Sequence, residues 1–488
     1  MKKINSLLAF FFLSITTLNA QFNFSNFLDG SVHPETQIHP IGDDKYIVVE
    51  CNTYTIVDKN LSVISKDELN LSKHSELVSM YGTENGSVFA IFREYDTKNE
   101  FFFYLQFHFN PEGKLVKNEE LPSFEEKKKE RNYSYSLTSG NGNFHAHFIF
   151  TMDKDDFLKE TIVYIFDNQG DIIENRNFTP KFNNNIFSYH SGCLTDEGLL
   201  YLLFSSKQNS KGENSDKNET FHILKVNENG EELFDYNDFE FGNISSAGIL
   251  QLEDDNFFIS GFYTDAPQKN ATNFFSMIFE TEKETFNLVQ TGALKEFENH
   301  TLSALEKKTD MLYPFTFNIC GIFEMENTIL MIAEEKRVII SNDKTIPSPQ
   351  YNTRNILIFS FEKSGDIVNY NGIVKHHYNV VKDYFVNAGV LKHDNNLYIL
   401  SNCIYKNHIS GKELKPVNVT LPSKVGLQIF TVSEDGEIIN KKLMAPIPEK
   451  CVFSEILFTG DQTVLMRYVG FKNAGTSYDI KIRQAFLD

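Results

Sequence analysis

The segment FSFEKSGDIVNY (359–370) is an apolar run, a polar turn ending in glycine, a charged residue and a second short apolar run. That order describes a β-hairpin: the apolar runs suit strands, and the glycine supplies the left-handed backbone that closes the turn. The unit recurs as FHFNPEGKLVKN (107–118), YIFDNQGDIIEN (164–175), LKVNENGEELFD (224–235) and FTVSEDGEIINK (430–441). TIVDKNLSVISK (55–66) and MIFETEKETFNL (277–288) are degenerate copies. Asn110, Asp167 and Asn227 stand where a side-chain oxygen bonds back to the turn amides, and Gly113, Gly170, Gly230, Gly365 and Gly436 read as turn glycines. No helix follows these glycines, so they are not read as a phosphate cradle.

A second unit precedes each hairpin, a polar turn leading into a β-rich run. Its eight copies are GDDKYIVV (42–49), ENGSVFAIF (84–92), GNGNFHAHFIF (140–150), DEGLLYLLF (196–204), EDDNFFISGF (253–262), MENTILMIA (325–333), HDNNLYILS (393–401) and TGDQTVLMRY (459–468). Another strand lies before each turn, as in SSAGILQL (245–252) and FVNAGVLK (385–392), so each repeat holds four strands, A to D, with tight A–B and C–D turns. Self-similarity at such a period marks a repeat architecture, and four antiparallel strands repeated around a ring protect their edges by closure. The expected fold is therefore all-β: a single β-propeller over residues 21–488 with eight four-stranded blades, or seven if a degenerate copy is not a blade. The last repeat ends SYDIKIRQAFLD (477–488) after strand C, and QFNFSNF (21–27) is expected to supply its fourth strand and shut the ring.

Ahead of that strand, residues 1–20 have the three-part layout of a signal peptide. Lys2 and Lys3 precede an apolar run from Leu7 to Ile15, and Leu18-Asn19-Ala20 offers a small residue at the cut. The run is too short to span a bilayer and no Cys follows the cut, so an exported protein is expected, periplasmic or at the cell surface, not transmembrane. A formal charge of −20 repels phosphate backbones, which argues against a nucleic-acid partner. With 41% hydrophobic and 14% aromatic residues the chain can bury a large core. Five cysteines are too few for a disulfide scaffold and lack metal-ligand spacing, so no metal and no cofactor are expected. Cys403 and Cys451 fall at strand ends of adjacent repeats, where a disulfide is geometrically allowed.

Consecutive antiparallel strands put the A–B and C–D turns on one face of the ring and the B–C and D–A connections on the other. The long segments all belong to the second face: Lys207–Thr220, Tyr263–Asn273, Glu335–Arg354 and Tyr405–Ser423 between B and C, and Glu119–Arg131, Gln290–Pro314 and Asn371–Tyr384 between blades. Long loops gathered at one end of a rigid scaffold are where binding sites sit. Ala293–Lys308 spaces Leu294, Phe297, Leu302 and Leu305 as a short helical insertion, and EEKKKER (125–131) reads as a solvated loop because its glutamates offset its lysines. The candidate ligand-binding residues are His376, His377, Tyr378, Asp383 and Tyr384, which put imidazoles, phenols and a carboxylate in one interblade connection. Tyr351 and Arg354, ending a proline-containing loop, suit a carbohydrate or peptide contact. His145 and His147 share one side of a strand; with no carboxylate at ligand spacing they read as a packed or solvent-facing strand side and not as two metal ligands.

No catalytic residues are identified. The chain has no Ser-x-Asp-x-Gly-x-x-Trp box, no Gly-x-Ser-x-Gly elbow and no Trp against 46 Phe and 21 Tyr, which removes sialidase, peptidase-domain, quinoprotein, WD40 and kelch signatures. The apolar strand, the Asn/Asp-x-x-Gly-Asp/Glu/Lys turn and the short strand after it, best seen in NILIFSFEKSGDIVNYNGIVK (355–375) and AGVLKHDNNLYILSN (388–402), resemble the uncharacterised secreted β-propeller repeat proteins of Gram-negative bacteria. Such repeats often carry a Trp near the start of strand D, where this chain has Asn175, Asn369 and Asn440. The resemblance implies architecture and export, not activity. The function expected is a non-catalytic binding or assembly module presenting the long-loop face to an envelope protein or glycan. The alternative is a glycan-active hydrolase with two carboxylates at the channel mouth.

Overall fold

The computed structural model describes residues 22–28, 36–72, 75–122, 126–127, 131–153, 157–179, 185–208, 220–227, 229–236, 243–264, 273–294, 316–339, 350–375, 377–379, 387–404, 417–418, 422–447, 451–459, 463–472 and 477–487. The expected signal peptide, and the helical insertion beyond Leu294, lie outside them; Ala293 itself ends a strand.

Eight antiparallel four-stranded blades follow one another along the chain. Blade 1 is Gln37–Pro40, Lys45–Glu50, Thr53–Asp58 and Val63–Glu68. Blade 2 is Glu76–Gly82, Val88–Asp96, Phe101–Phe109 and Leu115–Glu120. Blade 3 is Arg131–Thr138, Phe144–Met152, Leu158–Asp167 and Ile172–Phe178. Blade 4 is Asn185–Leu194, Leu200–Gln208, Thr220–Asn227 and Gly230–Tyr236. Blade 5 is Asn243–Gln251, Phe257–Thr264, Asn273–Glu280 and Thr285–Ala293. Blade 6 is Thr316–Glu324, Thr328–Ile339, Gln350–Glu362 and Ile367–Ile373. Blade 7 is Gly389–His393, Asn396–Ile404, Val425–Val432 and Ile438–Met444. Blade 8 takes Val452–Thr459, Thr463–Lys472 and Ser477–Leu487 from the end of the chain and Phe22–Phe27 from its start, paired as Phe22 with Leu487. Short strands add to two blades: Glu126–Lys127 to blade 2, and His377–Asn379 and Val417–Asn418 to blade 6. No helix among the described residues is long and apolar enough to cross a membrane.

The A strands line the centre, and each touches the A strand of the next blade all the way round, the last returning to the first. Among the described residues the apolar core is divided between the blades. Eight buried apolar clusters each lie between two neighbouring blades. In strand B of blade 6, Ile329, Met331 and Ala333 face blade 5 while Leu330 and Ile332 face blade 7. A strand buried on both sides reads as a continuous apolar run, which is why these stretches do not alternate.

The C–D turns close as their residue types dictate. Asn110 Oδ1 accepts from the Lys114 amide at 2.9 Å, Asp167 Oδ1 from the Gln169 and Asp171 amides at 2.8 and 3.0 Å, and Asn227 Oδ1 from the Asn229 amide at 2.8 Å. The turns also join blades, each docking on the blade before it. Gln106 Nε2 donates to the Gly170 carbonyl at 3.3 Å, Ser276 Oγ to the Gly365 carbonyl at 2.7 Å, and Asn369 Nδ2 to the Asp435 carbonyl at 3.1 Å. In the degenerate turn of blade 1 the glycine position is Leu61, at φ 62°. Its side chain is buried against Leu465 and Ile482 of blade 8, and that burial offsets the backbone strain. Phe and Tyr pairs fill space between the blades, for example Tyr201 with Phe257 at 4.4 Å and Phe258 with Phe361 at 5.0 Å.

His145 and His147 are buried between blades 2 and 3. His145 lies between Ser79 Oγ at 3.0 Å and Thr138 Oγ1 at 3.1 Å and stacks on Tyr81 at 3.9 Å; Ser136 Oγ stands 2.9 Å from His147 Nδ1. Burial drives the His147 pKa down to about 3, and that of His190 in blade 4 to about 4. Unfolding returns each ring to an ordinary value of 6.5, so the unfolded chain takes up protons first as pH falls. Stability is complete above that value and declines below it, by about 2 kcal/mol for each of these rings at about pH 5. Urea midpoints measured across this range should therefore fall towards acid, and His147→Gln should flatten the slope. An equal slope in the variant would refute the assignment.

Candidate functional site

Three of the long connections meet on blades 6 and 7. The segment 335–354 is not a loop throughout, as its polar sequence suggests. Strands B and C of blade 6 stay paired to Ile339 and Gln350, leaving only 340–349 between them, because a bulge between Glu334 and Lys336 lets the register resume. A bulge bends the strand and re-aims side chains, and such features gather near functional sites. Strand D of blade 6 is interrupted as well. It pairs with strand C up to Ile373 opposite Ile356, leaves it, and is replaced by His377–Asn379 opposite Thr353–Tyr351. Val417–Asn418, from the B–C connection of blade 7, then runs parallel beside His377 and Tyr378.

The interruption turns Lys375 inward. Its Nζ forms an ion pair with Glu334, and both side chains are buried, at 3% and 1% exposure. Burial raises the pKa of Glu334, while Lys375 and the Ala388 amide pull it back. On the other side of the bulge Asn355 Nδ2 donates to Glu335 Oε2 at 3.4 Å. The Cys320 thiol, pushed up by burial and by the charge of Glu334, stays protonated. His377 is buried, and its Nε2 lies 2.6 Å from the carbonyl of Asn402. A carbonyl only accepts, so that nitrogen carries the proton. Asn402 Nδ2 in turn donates to the Phe453 carbonyl at 2.7 Å, linking blades 6, 7 and 8.

Of the residues singled out in the sequence, Tyr351, Arg354, His377 and Tyr378 come together on paired strands, with Tyr351 and Arg354 partly exposed. His377 faces inward as a tie between blades. His376, Asp383 and Tyr384 lie outside the described residues. Cys403 and Cys451 are both buried, and no disulfide joins them. Sequence reasoning missed Glu334, Glu335, Lys375 and Asn402. The available signal was the acidic pair that interrupts the apolar run ILMIAEEK (329–336).

No family model matches the sequence, and no curated protein matches it. Among solved structures, the WD40 domain of SCAP from fission yeast aligns at 9% identity and TM-score 0.38 over 96% of this chain and 98% of its own. The polysaccharide lyase Uly1 aligns at 11% identity and TM-score 0.42 over 86% and 91%. A protein of unknown function from Dyadobacter fermentans DSM 18053 aligns at 8% identity and TM-score 0.39 over 74% and 96%. At these scores the likeness carries no argument about activity.

Proposed function

We propose that this chain is an exported, non-catalytic binding or assembly module that presents the long-connection face of blades 6 and 7 to an envelope protein or glycan. The observation that supports this reading is the convergence of three long connections on one added sheet edge, held from below by buried polar ties. Tyr351 and Arg354 supply the contact surface, His377 holds the face in register, and His376, Tyr378, Asp383 and Tyr384 are further candidates from the same stretch of sequence. The engagement of Glu334 by Lys375 and of Glu335 by Asn355 favours binding over hydrolysis, since a glycosidase needs carboxylates open to its substrate. Export rests on the leader-like residues 1–20.

The test is recovery of the C-terminally tagged protein from native envelopes in mild detergent, followed by mass spectrometry of what accompanies it. A stoichiometric partner is expected, and the double substitution Tyr351→Ala/Arg354→Ala should lower its recovery about tenfold. Unchanged recovery in the double variant would refute the assignment of this face. A solitary wild-type protein that cleaves envelope glycans would replace the binding reading with the enzymatic one.

A further inference from the structure

On the wall of the central channel, the A strands of blades 4, 5 and 6 line a half-open cavity of about 290 Å³. Neither Tyr351 nor Arg354 lines it, so its occupancy is tested separately from the proposed face. All three strands are bulged, the register slipping between Tyr189 and Ser191, between Ile244 and Ser246, and between Ile319 and Gly321. His190, Ser246 and Cys320, at or beside these slips, all line the cavity, joined by Ser191 and Asn318. The backing is small and aliphatic; a Cβ on Gly248 would stand 2.7 Å from Ile322 Cδ1, so the Ile322 side chain packs against the space that glycine leaves.

The chemistry of the lining is consistent. In a chain with a net charge of −20, none of the described lining residues is Asp, Glu, Lys or Arg. Burial keeps His190 neutral, and its Nε2 stands 2.9 Å from Ser205 Oγ. The Cys320 thiol stays protonated. Ser246 Oγ is buried with no hydrogen-bond partner among the described residues. Asn318 is exposed on the channel wall, its carbonyl 3.8 Å from Cys320 Sγ. Hydroxyl and amide groups both donate and accept, which matches ligands whose own groups do both. No charged side chain among the described lining residues stands ready to replace the hydration of a bound ion. The volume is close to the lower end of small-ligand pockets, roughly 300 Å³.

We infer that this cavity binds an uncharged, hydroxyl-rich ligand, a neutral saccharide of one or two rings, held by Ser191, Ser246 and Asn318. Calorimetric titration of the full chain with maltose, cellobiose and diacetylchitobiose, alongside glucuronate as the anionic control, tests it. At least one neutral disaccharide should bind saturably with one site per chain, and glucuronate should not. Ser246→Ala and Asn318→Asp should each weaken binding about tenfold with melting temperatures close to that of the parent. Asn318 is exposed, so its substitution leaves the fold intact and keeps the test decisive. No saturable heat with any of the three disaccharides, equal binding of glucuronate, or affinities unchanged in both variants would overturn the inference.

Discussion

Replacement of Lys375 by methionine will lower stability by about 3–5 kcal/mol, the usual cost of leaving one member of a buried ion pair without its partner. Glu334 is then a buried carboxylate on the same side of its strand as Leu330 and Ile332, with the Ala388 amide and the charge of Lys336 left to hold it. The loss should have a pH signature. Burial already raises the pKa of Glu334, and removal of Lys375 raises it further. A carboxyl whose pKa is higher in the fold than in the unfolded chain loses stability as pH rises between the two values. The deficit of Lys375→Met should therefore shrink in acid, where Glu334 becomes neutral. The double variant Glu334→Leu/Lys375→Met removes both charges and should recover most of the loss. Urea denaturation of the three proteins decides it; a single-variant cost below about 1 kcal/mol, the level of an exposed pair, would show that the pair is not buried in solution.

The second large effect is expected at Gly170. This residue sits at φ 81°, and a Cβ there would lie 2.1 Å from the Phe89 ring. The ring cannot swing aside freely, because it stacks on Tyr81 at 5.3 Å and on His108 at 4.3 Å. Gly170→Ala therefore combines backbone strain with overpacking, about 2–5 kcal/mol together. Gly142 is the internal control: its φ of 74° is similar, but a Cβ there meets nothing within 4 Å. Gly142→Ala should cost only about 1–2 kcal/mol. Thermal melts of the two variants compare them directly, and equal losses would mean that the turn of blade 3 does not press on blade 2.

What was legible in the sequence is what is local. The Asx-type turns at Asn110 and Asp167, the glycines after them and the continuous apolar runs specify hairpins through neighbours a few residues away. The closing strand 21–27 was readable because the last repeat lacked one. Seven or eight blades hung on two degenerate turns; both are real, and Leu61 stands in for glycine by burying its side chain. The candidate site was legible only in part. Tyr351 and Arg354 were marked in one connection and His377 and Tyr378 in another, by residue type alone; their pairing depends on the bulge at Glu335 and the break in strand D around Lys375. A bulge has no composition of its own, so EEKRVII (334–340) reads as the start of a loop although most of it is strand. His190, Ser246 and Asn318 meet only because three inner strands are adjacent in space, which no spacing along the chain reveals.

The seam of blade 8 fixes the direction in which the molecule can be held. Phe22 lies opposite Leu487, so both ends of the ring emerge side by side on the short-turn face, away from Tyr351 and Arg354. Any tether at either end would leave the long-connection face pointing outward, unobstructed. The same geometry makes the seam mechanically soft. A pull that separates the two ends loads the hydrogen bonds of this antiparallel pair one after another, as in a zipper, rather than all at once in shear. Blade 8 is where the ring would open under tension, and the face of blades 6 and 7 would remain intact until it did.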